Sequence, residues 1–524
     1  MYDPEEAESP GDAKAPLLPL PLPTKGFGVR SKAIARWVVR RPLAILRSVR
    51  RNPRTLVTRL PYILLGVFVI VVALTPFLFP SYNSPPRRYR DLEARCTTNE
   101  PGCANPRAEK VFISVSLYDP DGAVAGGPWG AAVEALIHVL GEDNVFLSIY
   151  ENDSGETGDR ALGALNARIA APKRIISDLV PPNYAAYPHA TMPDGSRVLK
   201  RLSYLSAVRN RALEPLDTFD GNTTTKFDKV LFLNDAVFAP LSAAHLLFNT
   251  NADESGRARY LAACALDYNQ SPFLLYDLYA QRDAAGRSNG LPIFPYFPPG
   301  ASRDAMLAET DAVPVRSCWG GMVAAQAAPF QHLGPELPHP QWREPGFHVV
   351  EPGSPREVAA PVRFRFEPEI FFDACECCLL HADLTNAVSS STSSGSDAAE
   401  RRTFVNPYVR VAYSERVLRL VPYVRRFERL FALPQRAITY LAGLPTRNPH
   451  REVGQGQPFL EEVYGRRGMW EVVERRGRSG LFCGVREMQT LVEGGREEGE
   501  RGEGLVNWVN WRVPWETQQF YFPT

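Results

Sequence analysis

The sequence predicts an α/β domain built on a mostly parallel sheet flanked by helices, carried behind one N-terminal transmembrane helix. Three observations predict it. Apolar strand-like runs alternate with helical segments of about ten residues, the pattern of strands joined by crossover helices. Each strong run ends in a carboxylate. One uncharged run of 18 residues, Tyr62–Phe79, precedes them all.

Residues 1–60 hold 12 Lys/Arg against 5 Asp/Glu, so they are expected to form a basic tail that is largely disordered, its first 24 residues being acidic and then Pro/Leu-rich. Residues 61–80 read as the transmembrane signal anchor. At 1.5 Å per residue the uncharged run is about 27 Å long, near the thickness of a thin bilayer core. Pro76 is tolerable inside such a span. From Lys25 to Arg59 there are 11 basic residues and no acid, so the tail is expected to stay cytoplasmic and the remainder to lie on the lumenal side, a single-pass type II arrangement. Residues 81–107 read as a stem.

The next segment, 108–440, reads as the lumenal domain. VFISVSLY (Val111–Tyr118) is a buried strand, Trp129–Leu140 a helix, NVFLSIYEN (Asn144–Asn152) a second strand. Asp159–Ala170 reads as a helix, Arg174–Ser177 as a short strand, Val198–Leu216 as a helix and KVLFLND (Lys229–Asp235) as the third strong strand. Loops at 284–300 and 332–361 are candidate lids. Residues 388–400 are low-complexity. Residues 441–524 read as a C-terminal extension, partly disordered and peripheral.

The net charge of +1 argues against a general nucleic-acid binder. All eight cysteines follow the span, and a secretory lumen permits disulfides. Cys96 and Cys103 are close enough to close a small stem loop; the other pairings stay open. Asn152 and Asn222 begin sequons, of which only the second is expected to be used.

In open α/β sheets ligands bind at the carboxyl ends of the strands. Strand one ends in Asp119 and Asp121, strand two in Glu151 and Asp153, strand three in Asn234 and Asp235. A lone acid there is usually a cap or turn residue; three such ends suggest an acidic rim whose oxygens suit Mn2+ or Mg2+, which would in turn hold phosphates. Arg209 and Arg211 lie two apart and diverge by about 200° on a helix, so one can reach phosphates while the other stays on an exposed face. In SCWGGMVA, Trp319 beside Gly320 and Gly321 offers an aromatic face and close backbone approach, or else a tight turn beside a core tryptophan. In ECCLLHADL, Glu376 and His381 flank an apolar run. Cys375 and Cys378 have C-x2-C spacing, but no second pair completes a zinc site.

In order, FISVSLYDPDG, NVFLSIYENDSG, RNRALEPL, FDKVLFLNDAVF, ACALDY, PVRSCWGGMVA, ECCLLHADL and FVNPYVRVAYS resemble glycosyltransferase family 69, the fungal α-1,3-mannosyltransferases that include the cryptococcal capsule-associated enzymes. The resemblance runs from about Val111 to Ser414. It implies a GT-A-like fold, GDP-mannose as donor, Mn2+ (or Mg2+) and retaining transfer to a mannose-containing glycan acceptor, for capsule, cell-wall or glycan synthesis. The tail, anchor and stem match the layout of Golgi membrane transferases. Carried over, Asp235 is the metal ligand with Asn234 its neighbour, and His381 a second ligand. Asp119, Asp121, Glu151, Asp153 and Arg209 lie around the nucleotide, Trp319, Gly320 and Gly321 border the sugar or acceptor, and Glu376 is catalytic with Asp235. The motif reads Asn-Asp-Ala rather than Asp-x-Asp, so it supplies one strong anionic ligand. The competing reading is a non-catalytic lumenal scaffold for polysaccharide synthesis or export.

Overall fold

The structure, a computed structural model, describes residues 53–152, 154–178, 187, 189–192, 195–217, 225–331, 361–390, 402–445, 448, 452–464, 470–491 and 508–512. The expectations for the first 52 residues, Asp153, the Asn222 sequon, residues 332–360 and residues 391–400 lie outside them. The chain divides into two units, Met1–Ala73 and Leu74–Thr524.

Helix α1, Pro53–Leu78, contains the apolar run. Its stretch Arg59–Leu78 is long and apolar enough to cross a membrane, and its large side chains stand exposed.

The second unit opens with α2 (Arg87–Arg95), β1 (Val111–Leu117), α3 (Pro128–Leu140), β2 (Val145–Asn152), α4 (Gly155–Arg168), β3 (Lys173–Asp178), β4 (His189–Thr191), β5 (Arg197–Lys200), α5 (Arg201–Leu213) and β6 (Lys229–Leu233). It continues with α6 (Pro240–Asn249), β7 (Ala262–Tyr268), β8 (Arg282–Asp283), α7 (Ala301–Leu307), β9 (Val313–Ser317), β10 (Met322–Gln326), β11 (Asp373–Ala374), α8 (Glu376–Ser390) and β12 (Thr403–Ala412). Then come α9 (Glu415–Val424), α10 (Ala432–Leu441), β13 (Pro458–Tyr464), β14 (Trp470–Arg476), β15 (Gly484–Val485), β16 (Glu487–Leu491) and β17 (Trp508–Arg512).

Nine strands form one sheet in the order β3-β2-β1-β6-β10-β7-β12-β9-β8. All run one way except β10 and β9. The sheet is therefore mixed, with its parallel part where the sequence places it. Val111, Ile113 and Val115 of β1 face α3, α4 and α6, while Phe112 faces the opposite core with Phe232 of β6 and α8. This strict alternation, with both faces buried, is why the strands read as continuous apolar runs. β1 pairs with β2 on one side and β6 on the other, so the chain reverses its strand order there. At such a reversal the connections on the two sides diverge and leave a crevice beyond the strand ends.

Disulfides join Cys96 to Cys103, as the spacing predicts, and Cys264 to Cys318 and Cys378 to Cys483. Cys375 and Cys377 are free and buried. The last bond ties α8 to the C-terminal extension, whose strand β15 pairs with β11 and whose β16 pairs with β5. The expectation of a peripheral extension therefore fails for 470–491: its short strands pair across long sequence distances, which periodicity does not reveal. The candidate lid at 284–300 is also clamped rather than free, because Phe294, Tyr296 and Phe297 are buried in the core.

Candidate active site

The crevice at the ends of β1 and β6 centres on Asn234 and Asp235. Asn234 is fixed from four directions. Its carbonyl accepts a hydrogen bond from the Trp129 indole at 2.7 Å, and its side-chain oxygen accepts from the Trp319 indole at 2.9 Å. Its N–H donates to the Gly321 carbonyl at 3.0 Å, and its side-chain amide donates to the Tyr413 hydroxyl at 3.4 Å. Two buried indoles that find their acceptors on one asparagine leave the next residue little freedom.

Asp235 points outward from this fixed base and is exposed. Surrounding protein atoms still displace enough water to raise its pKa; a backbone hydrogen bond and Arg209 pull it back down, and the charge of Asp119 pushes it further up. Arg209 and Asp119 thus act on it electrostatically.

Arg209 and Arg211 part as their spacing requires. Arg209 lies over the Trp319 ring at 4.6 Å and pairs with Glu376 at 3.0 Å, while Arg211 pairs with Glu214 at 2.8 Å. Glu376 is buried and also accepts weak hydrogen bonds from the thiols of Cys375 and Cys377 at 3.6 and 3.4 Å. Trp319 is buried too, so its ring carries Arg209 rather than facing open space. Gly320 and Gly321 have φ of +54° and +69°, and a Cβ on Gly320 would lie 2.0 Å from the Ala265 carbonyl oxygen. Only glycine fits that turn.

The other strand-end acids have different duties. Asp119 is buried, and its carboxylate accepts from the amides of Val124 and Ala125 at 3.0 and 2.8 Å. Glu151 is buried, accepting from the Ser154 amide at 2.8 Å and the Ser177 hydroxyl at 2.5 Å. Both shape the loops of the crevice. Asp121 is exposed. Asn152, the first sequon, is buried against the Tyr204 hydroxyl, which explains why it is unsuited to modification.

His381 departs from expectation. Its Nε2 lies 2.7 Å from the Cys318 carbonyl, and its ring is fully buried against the Cys264–Cys318 disulfide. Burial lowers its pKa to about 4 and keeps it neutral. The ring is held inside the domain while Asp235 is exposed: its Nε2–H donates to the Cys318 carbonyl, its Nδ1 is buried without a hydrogen-bond partner, and the sulfurs beside it are bonded to each other.

Sequence reasoning missed a buried acidic pair behind the site. Asp267, at the end of β7, accepts from the Asp277 amide at 3.0 Å and the Tyr413 hydroxyl at 3.4 Å. Asp277 accepts from the Gly320 amide at 3.2 Å. Burial, reinforced by the charge of Asp277, pushes Asp267 up to about 7. The missed signal is the same one used for the other strands: ACALDY is an apolar run ending in an acid. A cavity of about 530 Å³ lies elsewhere, between β9, the start of β12 and the C-terminal extension.

The family described as cryptococcal mannosyltransferase 1 matches residues 110–383, which include every motif of this crevice except Tyr413. The chain belongs to that family. Membership supports glycosyl transfer as the class of reaction. The chain is also similar to a Pyrobaculum calidifontis mannosyltransferase solved with GDP-mannose and Mn2+, at 11% identity over 72% of this chain and 87% of that one, TM-score 0.30. A mannosyl-3-phosphoglycerate synthase from Rubrobacter xylanophilus is 14% identical over 76% and 94%, TM-score 0.27. A glucosyl-3-phosphoglycerate synthase from Mycobacterium tuberculosis, solved with Mn2+, UDP and phosphoglyceric acid, is 10% identical over 76% and 96%, TM-score 0.28. No curated protein matches the sequence.

Proposed function

We propose that this family member transfers mannose from GDP-mannose to a mannose-containing acceptor in α-1,3 linkage with retention, as a single-pass type II protein of the Golgi membrane. The observation that carries the reading is Asp235, an exposed carboxylate on a rigid base at the strand-order reversal, beside Arg209.

The donor set fits a divalent cation held largely by its substrate. Among the described residues no three metal-binding side chains converge on Asp235, and Mg2+-type sites commonly use one or two carboxylates plus substrate phosphates. Asp235 would hold Mn2+ or Mg2+, and the cation supplies charge to stabilise the departing diphosphate. Arg209 adds a guanidinium near the same charge. Glu376, buried and ion-paired, orients Arg209 rather than attacking the sugar, which favours proton transfer on the donor face over a Glu376 nucleophile. The Asn234 clamp keeps Asp235 from drifting, and misplacement by about 1 Å can reduce turnover by about a hundredfold.

The test measures GDP release from GDP-mannose by the full chain in detergent, with and without a mannoside acceptor. Release that requires acceptor supports transfer. Release regardless of acceptor indicates hydrolysis, and no release at all favours the scaffold reading.

A further inference from the structure

Helix α10 is folded inside out. It buries Gln435 (0% exposed) and Thr439 (4%), and it exposes Leu433 (79%), Tyr440 (85%) and Leu441 (82%). At 100° per residue, Leu433, Ala437, Tyr440 and Leu441 fall within an arc of about 100°, opposite Gln435 and Thr439. Water-facing helices of soluble proteins show the reverse. The buried polar side has a partner: the side-chain oxygen of Gln435 accepts from Arg303. Helix α9, joined to α10 by residues 425–431, also exposes Leu420 and Tyr423. Isolated apolar side chains on a surface need no explanation, but a contiguous patch does.

We propose that the apolar face of α9 and α10 lies on an anionic lipid surface, namely the membrane crossed by α1; the inference rests on the reading of α1 as a span. Charge complementarity favours a bilayer. Residues 415–443 contain six arginines against two glutamates, and Arg416, Arg426 and Arg436 are exposed around the apolar stripe. Cationic side chains flanking Leu, Ile and Tyr are the composition of a helix that lies in a headgroup region, with tyrosines at the boundary. Chain length favours it as well. The apolar run ends at Leu78, and Tyr82 is already fully buried, so at most about 14 Å of extended chain separates them. Tyr82 enters the fold beneath the connection between α9 and α10: Arg410 lies 5.8 Å from its ring and is ion-paired with the buried Glu428 of that connection.

The experiment places a spin label at Leu433→Cys or Leu441→Cys in the full chain, reconstituted into nanodiscs containing anionic lipid. Six native cysteines are in disulfides and Cys375 and Cys377 are buried, so the label goes to the new thiol. Relative to a label at Glu142→Cys, both positions should be shielded from a water-soluble nickel chelate by about tenfold and accessible to oxygen. The triple variant Arg416→Glu/Arg426→Glu/Arg436→Glu should lose that shielding. Chelate access equal to that at Glu142→Cys overturns the proposal. So does shielding that survives the triple variant, and so does shielding in detergent accompanied by dipolar broadening between labels, which assigns the face to a second copy. An Ile70→Cys label separates the two readings. Shielded there but open at Leu441, only this inference falls; open at Ile70, the span reading falls and takes the inference with it.

Discussion

The ends of β1 and β6 begin from the same signal and reach different outcomes. Each is an apolar strand running into acids at one edge of the sheet. At β1 the chain turns back on itself before α3, and the backbone amides of Val124 and Ala125 are directed at the Asp119 carboxylate. At β6 the Trp129 indole and the Gly321 carbonyl hold the Asn234 backbone and the Trp319 indole holds its side chain, so the Asp235 carboxylate, bonded to its own amide, is spared the capping role that Asp119 fills. An acid becomes available for chemistry when other groups have already satisfied the local backbone; otherwise it is taken up as a cap.

This contrast is sharpest under mutation. Asp235→Asn should reduce turnover by about a hundred- to a thousandfold while leaving the thermal midpoint nearly unchanged, because the side chain is exposed and an asparagine oxygen can still accept from the residue's own amide. Steady-state rates beside a melting curve decide this, and a large loss of stability would make Asp235 another structural turn residue. Asp119→Ala should behave in the opposite way. The buried Ala125 amide and the half-buried Val124 amide lose their acceptor, and stability should fall by about 2–4 kcal/mol in chemical denaturation. Retained stability there would erase the distinction between the two strand ends.

A smaller effect concerns the buried acid behind the site. Asp267 titrates near 7 in the fold against an ordinary value of 3.8. Between about pH 4 and 7 the folded chain keeps a proton that the unfolded chain has released, so this group's contribution to stability falls as pH rises through that window. Asp267→Asn should flatten that part of the stability profile. An unchanged slope would mean that the proton is held elsewhere.

Much of the fold was legible because β1, β2 and β6 are buried on both faces and carry unbroken apolar runs. Arg209 and Arg211 were separable from helical spacing alone. The Cys96–Cys103 loop followed from proximity. What escaped notice has a common cause. The Asp267–Tyr413 contact spans 146 residues, the Cys378–Cys483 bond spans 105, and β16 meets β5 only after the chain has travelled around the domain. His381 looked like a ligand because its neighbours in sequence are acids, yet its neighbours in space are a disulfide and a carbonyl.

Sequence alone determined the local terms: which runs bury both faces, which segments are helical, which segment can cross a membrane, and which strand ends carry oxygen donors. Those properties depend on side-chain type and on periods of two or 3.6 residues. Tertiary structure alone decided which of the equivalent acids stayed open, which anion each arginine met, and which side of α10 faced inward. Each of those outcomes depends on groups brought from distant parts of the chain to satisfy, or leave unsatisfied, a buried polar atom.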